Sequence, residues 1–318
     1  MDMGAEASSG RPERLPGDPV GGTRRRRAID SSTLVTALMY LPVVPVSLLG
    51  LALVALPLQH SYGVHPGLTA ATVVGIGLLP LIPLLTGAYA WMLGARRPTM
   101  AEMERLTPLW DRVLQRSGRP GARAYRLFIE DVEDLNAYAA GGWLVAVTTG
   151  ALRLPDDELE AVLAHELGHH LGGHTLIGSL QVILMLPVWF IDIAMRGAAR
   201  VIYLVNVGSW FFRLPVVNWI SIALMLLLRL VVFVLGLLVQ ASALLTTMAG
   251  RRSEILADRT AVDLGYGESL KRALDRFRSL GLEADLSRVS SLQRAMHQTH
   301  PPLGVRIERI EQRLRNEP

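Results

Sequence analysis

The segment 160-EAVLAHELGHHLGGHT-175 decides both the local fold and the chemistry of this chain. His165 and His169 are four residues apart, so on a helix they lie one above the other on one face, where two imidazoles can bind one metal ion. Glu166 lies about 100° round the helix from His165 and can reach a water molecule at the metal without being a ligand. This spacing is the H-E-x-x-H arrangement of zinc peptidases, in which the glutamate is the general base. The alternative is a helix whose histidines match the motif by chance.

A second segment, 251-RRSEILADRTAVDLG-265, offers the third ligand. Catalytic zinc takes three protein ligands and leaves one position open. Glu254 and Asp258 are again four residues apart on one helix face. Glu254 is predicted to bind the metal, and Asp258 to accept a hydrogen bond from a ligand histidine. The alternative is an ordinary acidic surface helix, which the presence of HELGH disfavours.

Two further histidines in the opening segment are predicted to stay off the metal face. On a continuous helix, His170 is turned about 100° from His169, and His174 points to the face opposite His165. Both are therefore interpreted as structural or solvent-facing side chains.

The composition indicates a membrane protein. The chain has 318 residues, of which 50% are hydrophobic, and a positive mean hydropathy of +0.32. The absence of cysteine excludes disulfides and thiolate metal sites. The net charge is only +4, with no strongly basic face, so nucleic acid is not expected as a partner.

Charge-free stretches divide the chain. No residue from 31 to 95 carries a formal charge, which suits two membrane spans near 34–57 and 68–94. Two more apolar blocks lie at about 175–195 and 219–248, giving four spans. The predicted organisation, in chain order, is a disordered basic tail (1–30), an N-terminal transmembrane hairpin (31–95), the first half of a protease domain (96–174), a second transmembrane hairpin (175–248) and the second half of that domain (249–318).

Arginines at the ends of the spans predict their orientation. Arg24–Arg27 precede the first span, Arg96 and Arg97 follow the second, and Arg251 and Arg252 follow the last. Cytoplasmic ends collect arginine, so the N-terminus and the zinc site are predicted to be cytoplasmic. The longest outer connection is expected at 196–218. Arg229 lies either at the outer interface or in a partly wet cavity between helices.

The aqueous parts are predicted to form one domain of helices and strands. Asp157 and Glu160 have capping-box spacing at the start of the HELGHH helix. The other expected elements are helices near 98–117, 253–265, 268–280 and 303–315 and strands at 125–131 and 141–148.

Several motifs in order resemble one family. HELGHHLGGH, SEILAD after a membrane hairpin, 136-NAYAAGGWLVAVTTGALR-153 and 299-THPPLGVRIERI-310 are similar to the HtpX-type membrane zinc metalloproteases, relatives of the CAAX prenyl endopeptidases. The resemblance covers about residues 30–315. It implies a mainly α fold with a small β-sheet, in which a zincin-like (gluzincin) domain is interrupted by a transmembrane helical hairpin. It also implies one Zn²⁺ per chain, held by His165, His169 and Glu254, with Glu166 as the general base.

The resemblance also implies substrate contacts. An edge strand, here 142–148, is expected to pair with an extended substrate, and Asn136 is a further candidate contact. His300 or Arg306 is expected to face the oxyanion of the transition state. The alternative for the last pair is a helix start with a surface histidine and an arginine paired to a nearby glutamate.

Both ligand segments lie within about 10 Å of an apolar block, because five residues of helix separate them. The zinc is therefore expected at the cytoplasmic face of a membrane, in a multi-pass protein, and the resemblance implies that this is a bacterial plasma (inner) membrane. The predicted function is an endopeptidase that cleaves membrane proteins or peptides, and the resemblance implies a task in quality control and stress response. Alternatives are maturation of one lipidated or membrane peptide, a signal-transducing sensor protease and a non-proteolytic zinc-containing scaffold.

Overall fold

The structure is a computed structural model that describes residues 31–119, 125–280 and 302–316. It is mainly helical with one small sheet, as predicted. The elements in chain order are α1 (Ser31–Leu38), α2 (Val44–Tyr62), α3 (Pro66–Leu78), α4 (Thr86–Met92), β1 (Ala95–Arg96), α5 (Met100–Arg116), β2 (Arg126–Glu130), β3 (Ala137–Ala140), β4 (Leu144–Thr148), α6 (Asp156–Gly172), α7 (His174–Phe211), α8 (Pro215–Asp263), α9 (Gly267–Ser279) and α10 (Leu303–Asn316).

The described residues contain three helical segments long and apolar enough to cross a membrane, namely Thr33–Tyr62, His174–Phe211 and Pro215–Ala241. A fourth segment is bent: Pro66–Leu81 and Pro83–Met92 meet at 69°. The second span, predicted at 68–94, is thus a broken span or a re-entrant loop. Its prolines explain the break, because proline removes a helical hydrogen bond and clashes with the preceding turn.

The second apolar hairpin is longer than expected. Its helices are joined by a turn at 212–214, so most of the connection predicted at 196–218 is helical. The 38 residues of α7 extend about 57 Å, well beyond the ~30 Å of a bilayer core. Asn206 Nδ2 donates to Asn218 Oδ1 at 2.8 Å, which fixes the register of the two helices. Counting eleven residues from each asparagine puts Arg229 level with Met195.

The first hairpin gives an independent estimate of the level of Arg229 along the helical bundle. Gly50 lies directly against the backbone of Pro187, where α2 packs beside α7. Twelve residues further along each helix, Tyr62 at the end of α2 is level with Ala199. Arg229 therefore lies within about one helical turn of the level at which the first hairpin makes its polar turn. Arg229 is, however, also near the middle of the apolar segment Pro215–Ala241, so its position relative to the bilayer stays a prediction.

The sheet has the strand order β1-β2-β4-β3. Strands β2 and β4 are parallel, whereas β1 and β3 are antiparallel to their neighbours. The prediction that 142–148 contains the edge strand is wrong: β4 lies between β2 and β3, and all five of its residues are buried. The edge beside helix α6 is β3, a short strand of three alanines and Tyr138 that the sequence pattern did not reveal.

The larger of two hydrophobic clusters in the described residues joins side chains from both sides of the apolar hairpin. Leu163 and Leu167 of α6 are completely buried among side chains of α5, β2 and β4 on one side and of α8, α9 and α10 on the other. The predicted capping box of α6 does not form, because the helix begins at Asp156, and the Asp157 carboxylate instead accepts from Ser269 Oγ at 3.2 Å and pairs with Arg272. Charge pairing to α9 thus replaces the cap.

Candidate metal centre

The centre is built where α6 crosses α8. Gly168 of the HELGH motif lies so close to α8 that a Cβ at this position would be 2.9 Å from Ala257 Cα. Only glycine allows this approach, which places the ligand-bearing turns of the two helices face to face. His165 and His169 come from α6, and Glu254 comes from α8.

Three side chains form the candidate ligand set. Nε2 of His165 lies 3.2 Å from Nε2 of His169, and these atoms lie 3.4 Å and 3.2 Å from the two oxygens of Glu254. All three ligand atoms lie within 4.8 Å of one another. His165 and Glu254 are each only 5% exposed, so the cluster is shielded from bulk water. Two imidazoles and one carboxylate are donors that zinc accepts, and they leave a fourth position for water or substrate.

Asp258 fixes the orientation of His165. The Nδ1–H of His165 donates to Asp258 Oδ1 at 2.8 Å, which directs Nε2 towards the other two ligands. Burial by itself lowers the pKa of His165, but the bond to Asp258 and the carboxylate of Glu254 outweigh this and raise it. Burial likewise raises the pKa of Asp258, and the charge of Arg306 with the bond to His165 outweighs this and lowers it to about 2. Asp258 is thus held as a carboxylate.

Arg306 reaches this centre from α10. Its Nη2 donates to Asp258 Oδ1 at 2.6 Å, its Nε donates to Oδ2 at 2.8 Å, and its Nη1 lies 3.5 Å from Glu254 Oε2. The arginine is 7% exposed, and its burial is compensated by this fork-shaped pairing. The alternative, a surface arginine paired with a nearby glutamate, is therefore wrong for Arg306. The expected contact with an oxyanion stays a prediction.

Gly173 changes the role of His174. This glycine has a φ of 79°, which ends α6 and starts α7 in a new direction. His174 is consequently not on the opposite face, as a continuous helix would require: its Nδ1 lies 3.2 Å from Nδ1 of His169. The sequence signal for this neighbour was the Gly172–Gly173 pair. His170, by contrast, is structural as predicted; it is fully buried and its Nε2 donates to Leu144 O at 2.9 Å.

The remaining candidate residues are Glu166, Asn136 and His300. Glu166 is 5% exposed and its charge acts on Arg306, so it lies in the centre. Asn136 precedes the edge strand β3, and its side-chain oxygen accepts from the backbone N–H of Ala137 at 2.9 Å. His300 lies outside the described residues.

A cluster of two histidines and a glutamate beside long apolar helices is compatible with a membrane metalloprotease, and the comparisons with known proteins support that class. The model of Peptidase family M48 matches residues 101–314, about two thirds of the chain. The chain belongs to peptidase family M48 and is of its HtpX type. The resemblance drawn from the motifs is thereby confirmed.

Two sequence relatives agree with this assignment. The chain is 31% identical over 301 residues to a Protease HtpX homolog of Acaryochloris marina, covering 86% of this chain and 95% of that protein. It is 29% identical over 219 residues to Protease HtpX of Cellvibrio japonicus, covering 64% of this chain and 70% of that one. The crystal structure of S. mikatae Ste24p superposes with a TM-score of 0.47 at 18% identity, covering 87% of this chain and 65% of that one.

Proposed function

We propose that this metalloprotease is a zinc-dependent endopeptidase whose ligands are His165, His169 and Glu254. The observation that carries the proposal is the convergence of two imidazole nitrogens and one carboxylate within 4.8 Å in a buried pocket. Zinc fits this donor set better than magnesium or calcium, which prefer oxygen ligands alone. One ion per chain satisfies the site.

The residues of the chain divide the chemistry among them. When bound by these residues, zinc would supply Lewis acidity, which would polarise a peptide carbonyl and make a water molecule more acidic. Glu166 takes the proton from that water and returns it to the leaving amine. Asp258 keeps His165 in the tautomer that presents Nε2 to the ligand cluster, and Arg306 in turn keeps Asp258 ionised.

The substrates we propose are membrane proteins or membrane-attached peptides, cleaved at the cytoplasmic face of a bacterial plasma membrane. The apolar helix α7 starts at His174, which touches ligand His169, so the centre lies at the end of an apolar segment. Thr33, at the start of the first apolar segment, donates its hydroxyl to Gly172 O at 2.8 Å, again at the end of the ligand helix. Both contacts support a site at the edge of a multi-pass bundle in contact with lipid.

A quality-control task follows from the way substrate would be held. The edge strand β3 offers its backbone beside α6, and pairing with a strand edge reads main-chain atoms rather than a particular sequence. Such recognition suits many damaged proteins better than one dedicated substrate.

The decisive experiment compares Glu166→Gln with Glu160→Gln in the purified full chain. Both residues are buried carboxylates on α6, but Glu160 pairs with Arg112 away from the ligands. Glu166→Gln should retain zinc and the thermal midpoint of unfolding while peptide-bond cleavage is lost, because an amide cannot take the proton. Glu160→Gln should cleave normally. Undiminished cleavage by the zinc-loaded Glu166→Gln variant would disprove the assignment.

A further inference from the structure

The break in the bent apolar segment is held by the catalytic sheet. The carbonyls of Pro80 and Leu81 lie at this break, between Leu78 and Pro83. Carbonyls that lose their helical partners near a membrane need a donor from the protein itself. Two donors arrive from the turn between β3 and β4: the Gly142 N–H donates to Pro80 O at 3.1 Å, and the Trp143 Nε1–H donates to Leu81 O at 2.8 Å.

The turn is shaped for this contact. Gly141 has a φ of 55°, and a Cβ at this position would be 2.4 Å from Pro80 O. A Cβ on Gly142 would be 3.3 Å from Leu81 O. The two glycines therefore let the β3–β4 turn approach the backbone of the bent segment more closely than other residues would allow.

The same turn is connected to the ligand helix. Trp143 packs on Tyr125 with a centroid separation of 5.8 Å, and Tyr125 packs on His170 at 5.0 Å. His170 lies next to ligand His169 and donates to Leu144 O, the first residue of β4. A continuous set of contacts thus runs from the bent apolar segment through Trp143 to the helix that carries the metal ligands.

We propose that Trp143 is a positioning residue that sets the distance from the membrane to the β3 edge and the metal ligands. This proposal rests on the proposed function, and it adds a preference for membrane-anchored substrates over soluble ones. A membrane-anchored substrate must place its scissile bond at a fixed distance from its anchor, whereas a soluble peptide is free to adjust. The contacts of Gly141, Gly142 and Trp143 with the bent apolar segment therefore affect the cleavage of anchored substrates and not that of soluble ones.

The test uses the full chain in lipid vesicles and two substrates that share the same cleavable sequence. The first substrate is fused to a transmembrane anchor, and the second is a soluble peptide. Trp143→Phe keeps an aromatic ring on Tyr125 and removes the donor to Leu81 O. We expect kcat/KM for the anchored substrate to fall about tenfold or more, the scale of one lost buried hydrogen bond, mainly through KM. The soluble peptide should change less than about twofold, with zinc content unchanged.

Trp110→Phe is the matched control. Trp110 also packs on Tyr125, at 5.9 Å, and within the described part of the chain its Nε1 has no hydrogen-bond partner. This variant should show no preference between the two substrates. Gly142→Ala retains the N–H but presses on Leu81, so it should give a weaker loss with the same preference for the anchored substrate.

The outcomes separate the two proposals. Equal losses on both substrates in Trp143→Phe, or no loss on either, would overturn the positioning role while leaving the proteolytic function intact. Failure of the zinc-loaded wild-type chain to cleave either substrate would instead contradict the proposed function.

Discussion

Gly168→Ala is the most informative single perturbation of the metal centre. The added Cβ would lie 2.9 Å from Cα, 3.1 Å from the carbonyl oxygen and 3.2 Å from Cβ of Ala257. Ordinary contacts between carbon atoms fall at about 3.5–4.0 Å. Since the closest of these atoms belong to the backbone, α6 and α8 must separate locally by about 0.6–1.1 Å.

This separation moves the histidine ligands away from Glu254. Metal–ligand distances tolerate only about ±0.2 Å, so the shift exceeds what the centre can absorb. We expect zinc affinity to fall by about 10–100-fold, the range seen when ligand orientation is disturbed. Overpacking destabilises the fold by about 1–3 kcal/mol, whereas replacing a helical glycine by alanine stabilises it by about 1 kcal/mol. The net loss in free energy of unfolding should therefore be about 0–2 kcal/mol.

The assay is competition for zinc with a chromophoric chelator, together with the thermal midpoint of the metal-free protein. Gly178→Ala is the control, because no atom of the described residues would lie within 4 Å of a Cβ added at Gly178 of α7. Wild-type zinc affinity in Gly168→Ala would refute the argument that this contact sets the ligand geometry.

Three further predictions test orientation, electrostatics and topology. Asp258→Asn should reduce zinc affinity about 10–100-fold with the fold retained, measured by the same competition, and an unchanged affinity would exclude the orienting role. The hydrogen bond from Arg96 lowers the pKa of Glu102 to about 2. The pair therefore stabilises the fold above the usual pKa of glutamate, and this stability is lost as the pH falls towards 2. The difference in Tm between wild type and Arg96→Met should shrink from pH 7 to pH 3, and a constant difference would contradict this prediction. Ser61 and Ser279 are both exposed and can each be replaced singly by cysteine. In intact cells an impermeant thiol reagent should label a cysteine at position 61 and should not label one at position 279. The reverse pattern would invert the proposed orientation.

Short-range patterns in the sequence were sufficient for much of the fold and for the identity of the candidate ligands. The four-residue spacing of His165 and His169 needs only a helix to bring them together, and apolar length alone marks the membrane segments. Arg306 was also a candidate from its motif, although its bidentate pairing with Asp258 required the position of α10.

Other features depended on contacts between distant residues. The order of the strands placed β3 rather than β4 at the edge, because parallel pairing of β2 with β4 is decided by packing and not by local pattern. The carboxylate of Asp157 went to α9 instead of capping its own helix, since a charged partner was available there. Gly173 turned His174 back onto His169, a contact that a continuous helix forbids.

The sequence by itself determined which residues could bind a metal and which segments were apolar enough for lipid, because both depend on residue type and on spacing within one helix. Only the tertiary structure decided how α6 and α8 meet at Gly168 and how the β3–β4 turn receives the carbonyls of Pro80 and Leu81. Those contacts join residues about 60–90 positions apart, and their closeness is set by the packing of whole elements, which no local spacing records.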